Sequence, residues 1–348
     1  MSEKEYSPLG QLILARLREF YRQPEVVFWV YGFPILMVVA LGIAFRNKPV
    51  EHIGVGVQQG EYAQGAKNAL SANQKFQVRL CDPKECRQLL RTGKVDLVVI
   101  AAAGPRYDYF YDPTRPESAL ARTVVDDALQ RAAGRKDAAV AGDIELTESG
   151  ARYIDFLVPG LLGMGLMGGG LWGVGFVIVD MRIRKLLKRF IATPMKKHQF
   201  LAGIMLSRFI FMVPEIVILL LFARIAFGVR VQGSLFAVMI FVFLGAFTFS
   251  GVGLLVASRA KTLETVSGLM NVVMLPMWIL SGIFFSSERF PAAVQPLINM
   301  LPLTPLISAL RAVILEGHSL VQLWPQVVIL AVWGVLTFAL SLRWFRWM

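Results

Sequence analysis

Asp180–Phe200 reads DMRIRKLLKRFIATPMKKHQF. Seven cations stand in it, Arg182, Arg184, Lys185, Lys188, Arg189, Lys196 and Lys197, against one acid, Asp180. Long apolar runs flank it, Ile154–Val179 before and Leu201–Phe227 after. Ile183, Leu186, Leu187, Phe190 and Ile191 recur at helical spacing and form one face. Pro194 ends that helix, because its ring excludes a further turn before it. The stretch is thus a basic amphipathic helix, residues 180–195, at the junction of two membrane spans. Two readings stay open: a cation-rich loop whose apolar face rests on lipid, or a docking helix that passes force from a cytoplasmic partner to the membrane.

Composition places the rest of the chain around that junction. Of 348 residues, 55% are hydrophobic and 17% charged, and the mean hydropathy is +0.57. These values describe an α-helical polytopic membrane protein, not a soluble domain. The net charge of +12 invites a nucleic-acid reading, but its distribution argues against one. Residues 46–150 hold 15 basic and 14 acidic side chains, and most of the excess borders apolar runs, where it records topology. Met1–Pro24 is polar and amphipathic and lacks the short apolar core of a signal peptide.

Within residues 1–24, Leu9, Leu12, Ile13, Leu17 and Phe20 share one helical face, as in a helix lying along the membrane. Residues 25–45 form the first span, close to the ~20 residues that cross a hydrocarbon core, with Pro34 as an expected kink. Residues 46–152 then change character. Short β-like runs (Ile53–Val57, Phe76–Leu80, Val95–Ala101, Tyr107–Tyr111) alternate with helix-like ones (Glu61–Leu70, Pro83–Arg91, Pro116–Ala133), which predicts a small α/β domain between spans 1 and 2.

Residues 153–348 hold the remaining spans. The second is glycine-rich: Gly160, Gly163, Gly165, Gly168, Gly169, Gly170, Gly173 and Gly175. Gly163-x-Gly165-x-x-Gly168 matches a dinucleotide fingerprint formally, but it lies in an apolar helix with no strand before it. Glycines four apart (Gly165, Gly169, Gly173) instead admit a close neighbour, either a second subunit or a helix of the same chain. Spans follow at Leu201–Phe227, Leu235–Ala257 and Val266–Phe285, the last after a polar turn, Ser258–Thr265. Residues 286–323, broken by Pro291, Pro296, Pro302 and Pro305, read as two short helices of a re-entrant hairpin. The sixth span, Trp324–Leu342, ends in an interface anchor of Arg343, Trp344, Arg346 and Trp347.

Cation counts set orientation. One side receives Lys4, Arg16, Arg18, Arg22, the seven of the basic stretch, Arg259, Lys261, Arg343 and Arg346. The other receives Arg224, Arg230, Arg289 and Arg311. This excess puts both termini in the cytoplasm and the α/β domain outside. In an oxidising exterior, Cys81 and Cys86 can pair or stay as two buried thiols.

Catalytic patterns are missing from the sequence. His52, His198 and His318 make no metal-ligand spacing. Gly60-x-x-x-x-Gly65 is followed by Ala66-Lys67, so it is not a phosphate-binding loop. Arg208 and Glu215 stand out as intramembrane charges seven residues apart, on one helical face. They read either as a coupling carboxylate with its partner or as a structural pair in which Arg208 snorkels toward the cytoplasmic interface.

The order of these parts resembles the type-2 ATP-binding-cassette (ABC) export permeases, the type V exporter fold. LKRFIATPMKKHQFLAG (Leu187–Gly203) is similar to that family's coupling region, where L-x-x-x-x-x-T-P leads into the third span. LSGIFFSSERFPAAVQPLINMLPLTPLISALRAVILEG (Leu280–Gly317) resembles its SGIFFP…P…NPLT…LR…G segment. The inserted α/β domain is similar to that of drug- and lipid-exporting members. Arg182-Ile183-Arg184-Lys185 departs from the acidic-basic-Gly-Thr start common in relatives, and Leu301 stands where relatives often carry Asn.

The resemblance implies a permease subunit of the plasma or inner membrane that is not itself an enzyme. It would pair with a second copy or a related chain and with two copies of a separate ATPase, which would bind ATP and Mg. Membrane lipids and a periplasmic accessory protein complete the implied partners; nucleic acid is not among them. ATPase coupling would fall to Arg182, Ile183, Leu186, Leu187, Phe190, Pro194, Arg259 and Glu264. The substrate path would run past Met164, Met167, Trp172, Met274, Met277 and Trp278. The compound moved is expected to be hydrophobic or amphipathic. An ion or polysaccharide cargo on the same scaffold, or a membrane-anchored sensor, are the alternatives.

Overall fold

The computed structural model describes residues 8–46, 52–104, 106–136, 152–191 and 197–344. Six helices among them are long and apolar enough to cross a membrane: Pro24–Ala44, Tyr153–Ile183, Gln199–Phe227, Leu235–Ala257, Leu263–Leu280 and Trp324–Trp344, spans 1 to 6. The protein is therefore a multi-pass helical membrane protein. The chain divides into two compact units, Met1–Arg46 with Leu146–Met348, and Asn47–Glu145.

In the helical unit, spans 2 and 4 form the centre. Over their most apolar stretches 56% and 61% of residues are buried, against 17% for span 1 and 22% for spans 5 and 6. Glycine permits this packing. A Cβ on Gly170 would overlap the backbone of Phe249, and one on Gly175 the carbonyl of Gly253, so the two helices meet backbone to backbone. Span 4 meets span 6 through Thr248, whose hydroxyl donates to the Leu330 carbonyl at 2.8 Å. The start of span 2 is tied to the end of span 3 by Arg152, which pairs with the buried Asp155 at 3.0 Å and donates to the Phe227 carbonyl at 2.8 Å.

Two spans contain a π-helical turn, Phe28–Gly32 in span 1 and Leu171–Phe176 in span 2. The first immediately precedes Phe33-Pro34, so the irregularity expected at Pro34 takes the form of a widened turn on its N-terminal side. The N-terminal helix α1 (Pro8–Tyr21) packs on span 3: Phe20 stacks on Phe211 with centroids 4.2 Å apart. A Cβ on Gly203 would lie 2.7 Å from Leu12.

The Asn47–Glu145 unit is an α/β sandwich. Its described strands are β1 (Ile53–Gln58), β2 (Phe76–Cys81), β3 (Leu97–Ala101) and β4 (Tyr107–Phe110). They lie in the order β2-β1-β3-β4, with β4 antiparallel to β3 and the other pairings parallel. Helices α2 (Ala63–Ser71) and α4 (Pro116–Ala132) supply Leu70, Val125 and Leu129 to one core with Val55, Val57 and Leu97. Helix α3 (Pro83–Arg91) brings Cys86 and Leu90 to a second core with Val95 and Val98. Asp82 caps α3, accepting from the Lys84 and Glu85 amides at 2.9 and 2.7 Å.

Cys81, ending β2, and Cys86, in α3, form a disulfide across a Cα–Cα distance of 5.3 Å. It closes a short loop, so reduction is expected to cost this unit about 2 kcal/mol of stability. Denaturant unfolding with and without reductant measures that shift, and a Cys81→Ala/Cys86→Ala variant should no longer respond to reductant.

Three short helices complete the helical unit. The basic stretch supplies α5 (Leu186–Ile191). The segment between spans 5 and 6 supplies α6 (Gln295–Met300) and α7 (Leu303–Glu316). Arg311 anchors α7: its guanidinium lies 3.7 Å from the Phe156 ring centroid and donates to the Phe156 and Gly282 carbonyls at 3.3 and 3.0 Å. The Arg346 and Trp347 parts of the expected anchor lie outside the described residues.

Candidate functional site

A cavity of about 890 Å³ opens among α1 and spans 1, 2, 3 and 5. Its wall is largely apolar and aromatic, with Phe20, Trp29, Phe33, Trp172, Phe211 and Trp278 among its members. Of the residues expected along a substrate path, Met164, Trp172, Met274 and Trp278 line it. The indole Nε1 of Trp172 donates to the Met274 sulfur at 3.2 Å, joining spans 2 and 5. Met167 and Met277 do not line it. At 0% and 6% exposed they belong to the apolar core, as does Met274 at 4%, which also reaches the cavity wall. Phe20 and Trp29 were not singled out in the sequence, although the helical face of α1 carries Phe20.

Arg208 and Glu215 form the polar part of the inner wall. Arg208 Nη2 donates to Glu215 Oε2 at 2.9 Å, and the side chains are 7% and 9% exposed. Arg208 therefore does not snorkel toward the nearer end of its helix. It extends the other way, toward a residue two turns on. Span 2 makes the room. A Cβ on Gly169 would overlap the Arg208 guanidinium, and one on Gly165 would lie 2.5 Å from Glu215 Oε1. A Cβ on Gly173 would lie 3.3 Å from Arg208 Cδ. The stripe Gly165, Gly169, Gly173 is thus a trough for an ion pair of the same chain.

The basic stretch is not one helix. Span 2 runs unbroken to Ile183, Lys185 takes a left-handed conformation (φ 59), and α5 starts at Leu186. The break divides the face expected over Ile183–Ile191. Leu187 is 1% exposed and packs with Leu12, Ile178, Phe200 and Leu201, and Leu186 is half-buried beside it. Ile183 is 43% exposed. Arg184, Lys185, Lys188 and Arg189 are exposed, so α5 presents cations outward and apolar groups inward. Pro194 and the Phe190 side chain lie outside the described residues.

Arg182 ties this stretch to the Ser258–Thr265 turn. Its Nη1 donates to the Ala257 and Ala260 carbonyls at 3.0 and 2.8 Å. Arg259, in the same turn, lies over the Trp344 ring at 5.6 Å. Glu264 is exposed in the first turn of span 5, after the N-cap Thr262. Arg182→Met should lower stability by about 2 kcal/mol through loss of charge-assisted hydrogen bonds. Arg259→Met should cost under about 1 kcal/mol, losing an exposed cation–π contact. Thermal unfolding of the purified variants in detergent distinguishes the two.

The α/β unit has its own polar hollow of about 510 Å³, lined by Arg106, Tyr107, Tyr109, Asp126 and Gln130 among others. Burial, then the hydrogen bond that Tyr109 donates to Asp126 at 2.9 Å, hold that phenol above its ordinary pKa.

Among the described residues, six apolar spans, a largely apolar cavity among them and a solvent-exposed basic turn characterise a multi-pass membrane protein. A family profile described as ABC-2 family transporter protein matches residues 24–343. The chain belongs to that family. It is similar to the inner membrane transport permease YhhJ of Escherichia coli, 29% identical over 128 residues, covering 37% of this chain and 34% of YhhJ. It is 26% identical over 171 residues to the linearmycin resistance permease protein LnrN of Bacillus subtilis, covering 49% and 44%. With the inner membrane transport permease YadH of E. coli it shares 27% identity over 165 residues, covering 47% and 63%. The chain thus spans between about a third and under two thirds of these relatives' own lengths.

Proposed function

We propose that this chain is the permease subunit of an ABC exporter, moving a hydrophobic or amphipathic compound out of the cytoplasm or the inner leaflet. A separate ATPase, in two copies, drives it, and a second permease chain completes the pathway. The cavity carries this reading. It is walled by α1 and four spans, includes Trp29, Trp172 and Trp278, and has the volume of a site for a drug-sized ligand. The permease names of the relatives, including the resistance permease LnrN, support it.

Orientation follows from the cation excess. The basic stretch and the Ser258–Thr265 turn face the cytoplasm with both termini, and the α/β unit faces outward. The disulfide supports an oxidising side for that unit. In this arrangement Arg184, Lys185, Lys188 and Arg189 offer the ATPase a basic contact, and Arg182 links it to the second turn. Helices α6 and α7 then form the re-entrant hairpin on the outer side.

The test is reconstitution in vesicles with the co-purifying ATPase. Export of an amphipathic dye is expected only with ATP and Mg²⁺. Flux driven by an ion gradient without any ATPase would overturn the reading. An alkaline phosphatase fusion after Arg135 should be active; an inactive fusion that is well expressed would reverse the orientation.

A further inference from the structure

Among the described residues, the charged side chains lining the cavity are Arg16, Glu19, Asp180, Arg184, Arg208 and Glu215. Each stands in an ion pair within the wall: Arg16–Glu19 at 2.7 Å, Arg184–Asp180 at 2.9 Å and Arg208–Glu215 at 2.9 Å. The wall is therefore neutral, in a chain of net charge +12. The first two pairs have exposed members, whereas the third is buried. Glu215 lies about 24 Å along span 3 from Gln199, at 1.5 Å per residue. A molecule that reaches this depth meets an ion pair in apolar surroundings.

That arrangement discriminates between headgroups. An amphiphile with a single net charge engages one partner and leaves the other buried without a counter-charge, which is costly. An uncharged amphiphile leaves the pair intact and is held by apolar contact alone. A headgroup carrying both signs can accept from Arg208 while its cation meets Glu215, exchanging charge for charge. Trp172 and Trp278 stand in the same wall, and an indole ring attracts an ammonium group. Both π-helical turns also supply lining residues, Trp29 and Val30 from one, Trp172, Gly173 and Phe176 from the other. Such widened turns are frequent at functional sites.

We infer that the cavity selects a zwitterionic amphiphile, its anionic group on Arg208 and its cationic group on Glu215 and the neighbouring indoles. This rests on the cavity being the substrate path proposed above. The test uses the full chain in uncharged maltoside micelles, with every tryptophan except Trp172 and Trp278 replaced by phenylalanine. Lipids with identical chain-brominated tails and phosphocholine, phosphoglycerol or trimethylammonium headgroups are titrated in as quenchers. The phosphocholine lipid should reach half-quenching at about a tenfold lower mole fraction than either singly charged lipid, the equivalent of about 1.4 kcal/mol. Glu215→Gln should abolish the advantage, and the exchanged pair Arg208→Glu/Glu215→Arg should restore it. Equal quenching by all three headgroups, or a preference for either singly charged one, overturns the inference and leaves the substrate-path reading standing. Quenching by none overturns both. Should the variants fail to fold, the headgroup series on the unaltered pair still decides.

Discussion

Gly169→Leu is expected to yield almost no folded protein, whereas Gly168→Leu is expected to fold. The three consecutive glycines of span 2 have three different neighbours. A Cβ at Gly168 meets nothing within 4 Å, one at Gly169 overlaps the Arg208 guanidinium, and one at Gly170 overlaps the Phe249 backbone. A side chain at position 169 must expel Arg208 from its trough. Glu215 would then remain buried without its partner, and breaking a buried ion pair in this way costs about 3–5 kcal/mol. The effect should come from the charge as much as from the volume. Gly169→Leu combined with Arg208→Met and Glu215→Met should therefore recover more folded protein than Gly169→Leu alone. Monodisperse yield from size exclusion in detergent measures all three, and equal recovery of Gly168→Leu and Gly169→Leu would show that the trough is not needed.

The second large effect is at Leu187. Leu187→Asp puts a carboxylate where the side chain is 1% exposed, among Leu12, Ile178, Phe200 and Leu201. An uncompensated buried charge again costs about 3–5 kcal/mol, enough to lose most of the folded population. Lys188→Glu with Arg189→Glu changes exposed positions one and two residues on and should alter stability by under about 0.5 kcal/mol. If the basic face of α5 grips an ATPase, that double reversal should abolish co-purification while the protein still folds. A fully retained ATPase would place the docking surface elsewhere. Leu187→Asp cannot serve this purpose, because a loss of binding would only report unfolding.

The same stretch shows how far the sequence could be read. Apolar periodicity runs on from Ile183 to Ile191, and nothing local marks Lys185 as left-handed, a conformation that a non-glycine residue seldom takes. The period is right on each side of the break, and the phase is lost across it. Strands β1 to β4 were legible, since alternation and flanking turn residues are local signals. The existence and order of the six spans were legible from their apolar length, but not all their ends. Span 5 is Leu263–Leu280 rather than Val266–Phe285, because Gly282 takes a left-handed turn, and span 2 continues past Val179 to Ile183. The faces of the spans were not legible. In lipid a helix can be apolar all round, so nothing in the sequence separates Met164 and Met274, which line the cavity, from Met167 and Met277, which do not. The Arg208–Glu215 pairing was open to reading from its spacing. The direction in which Arg208 extends depended on Gly169, a residue of another helix.

If the cavity is the substrate path proposed above, the uneven burial of the spans bears on which positions set its selectivity. On one side the cavity rests on a fixed wall, since span 2 is seated against span 4 at Gly170 and Gly175 with no side chain between them to yield. Spans 1 and 5, on its other sides, bury less than a quarter of their apolar stretches within the chain. Within the chain they are held by fewer neighbours than the span 2–span 4 pair. In that case, substitutions that widen or narrow the range of accepted molecules should collect in those two spans, near Trp29 and Trp278, and spare Gly170 and Gly175, where a Cβ would overlap span 4.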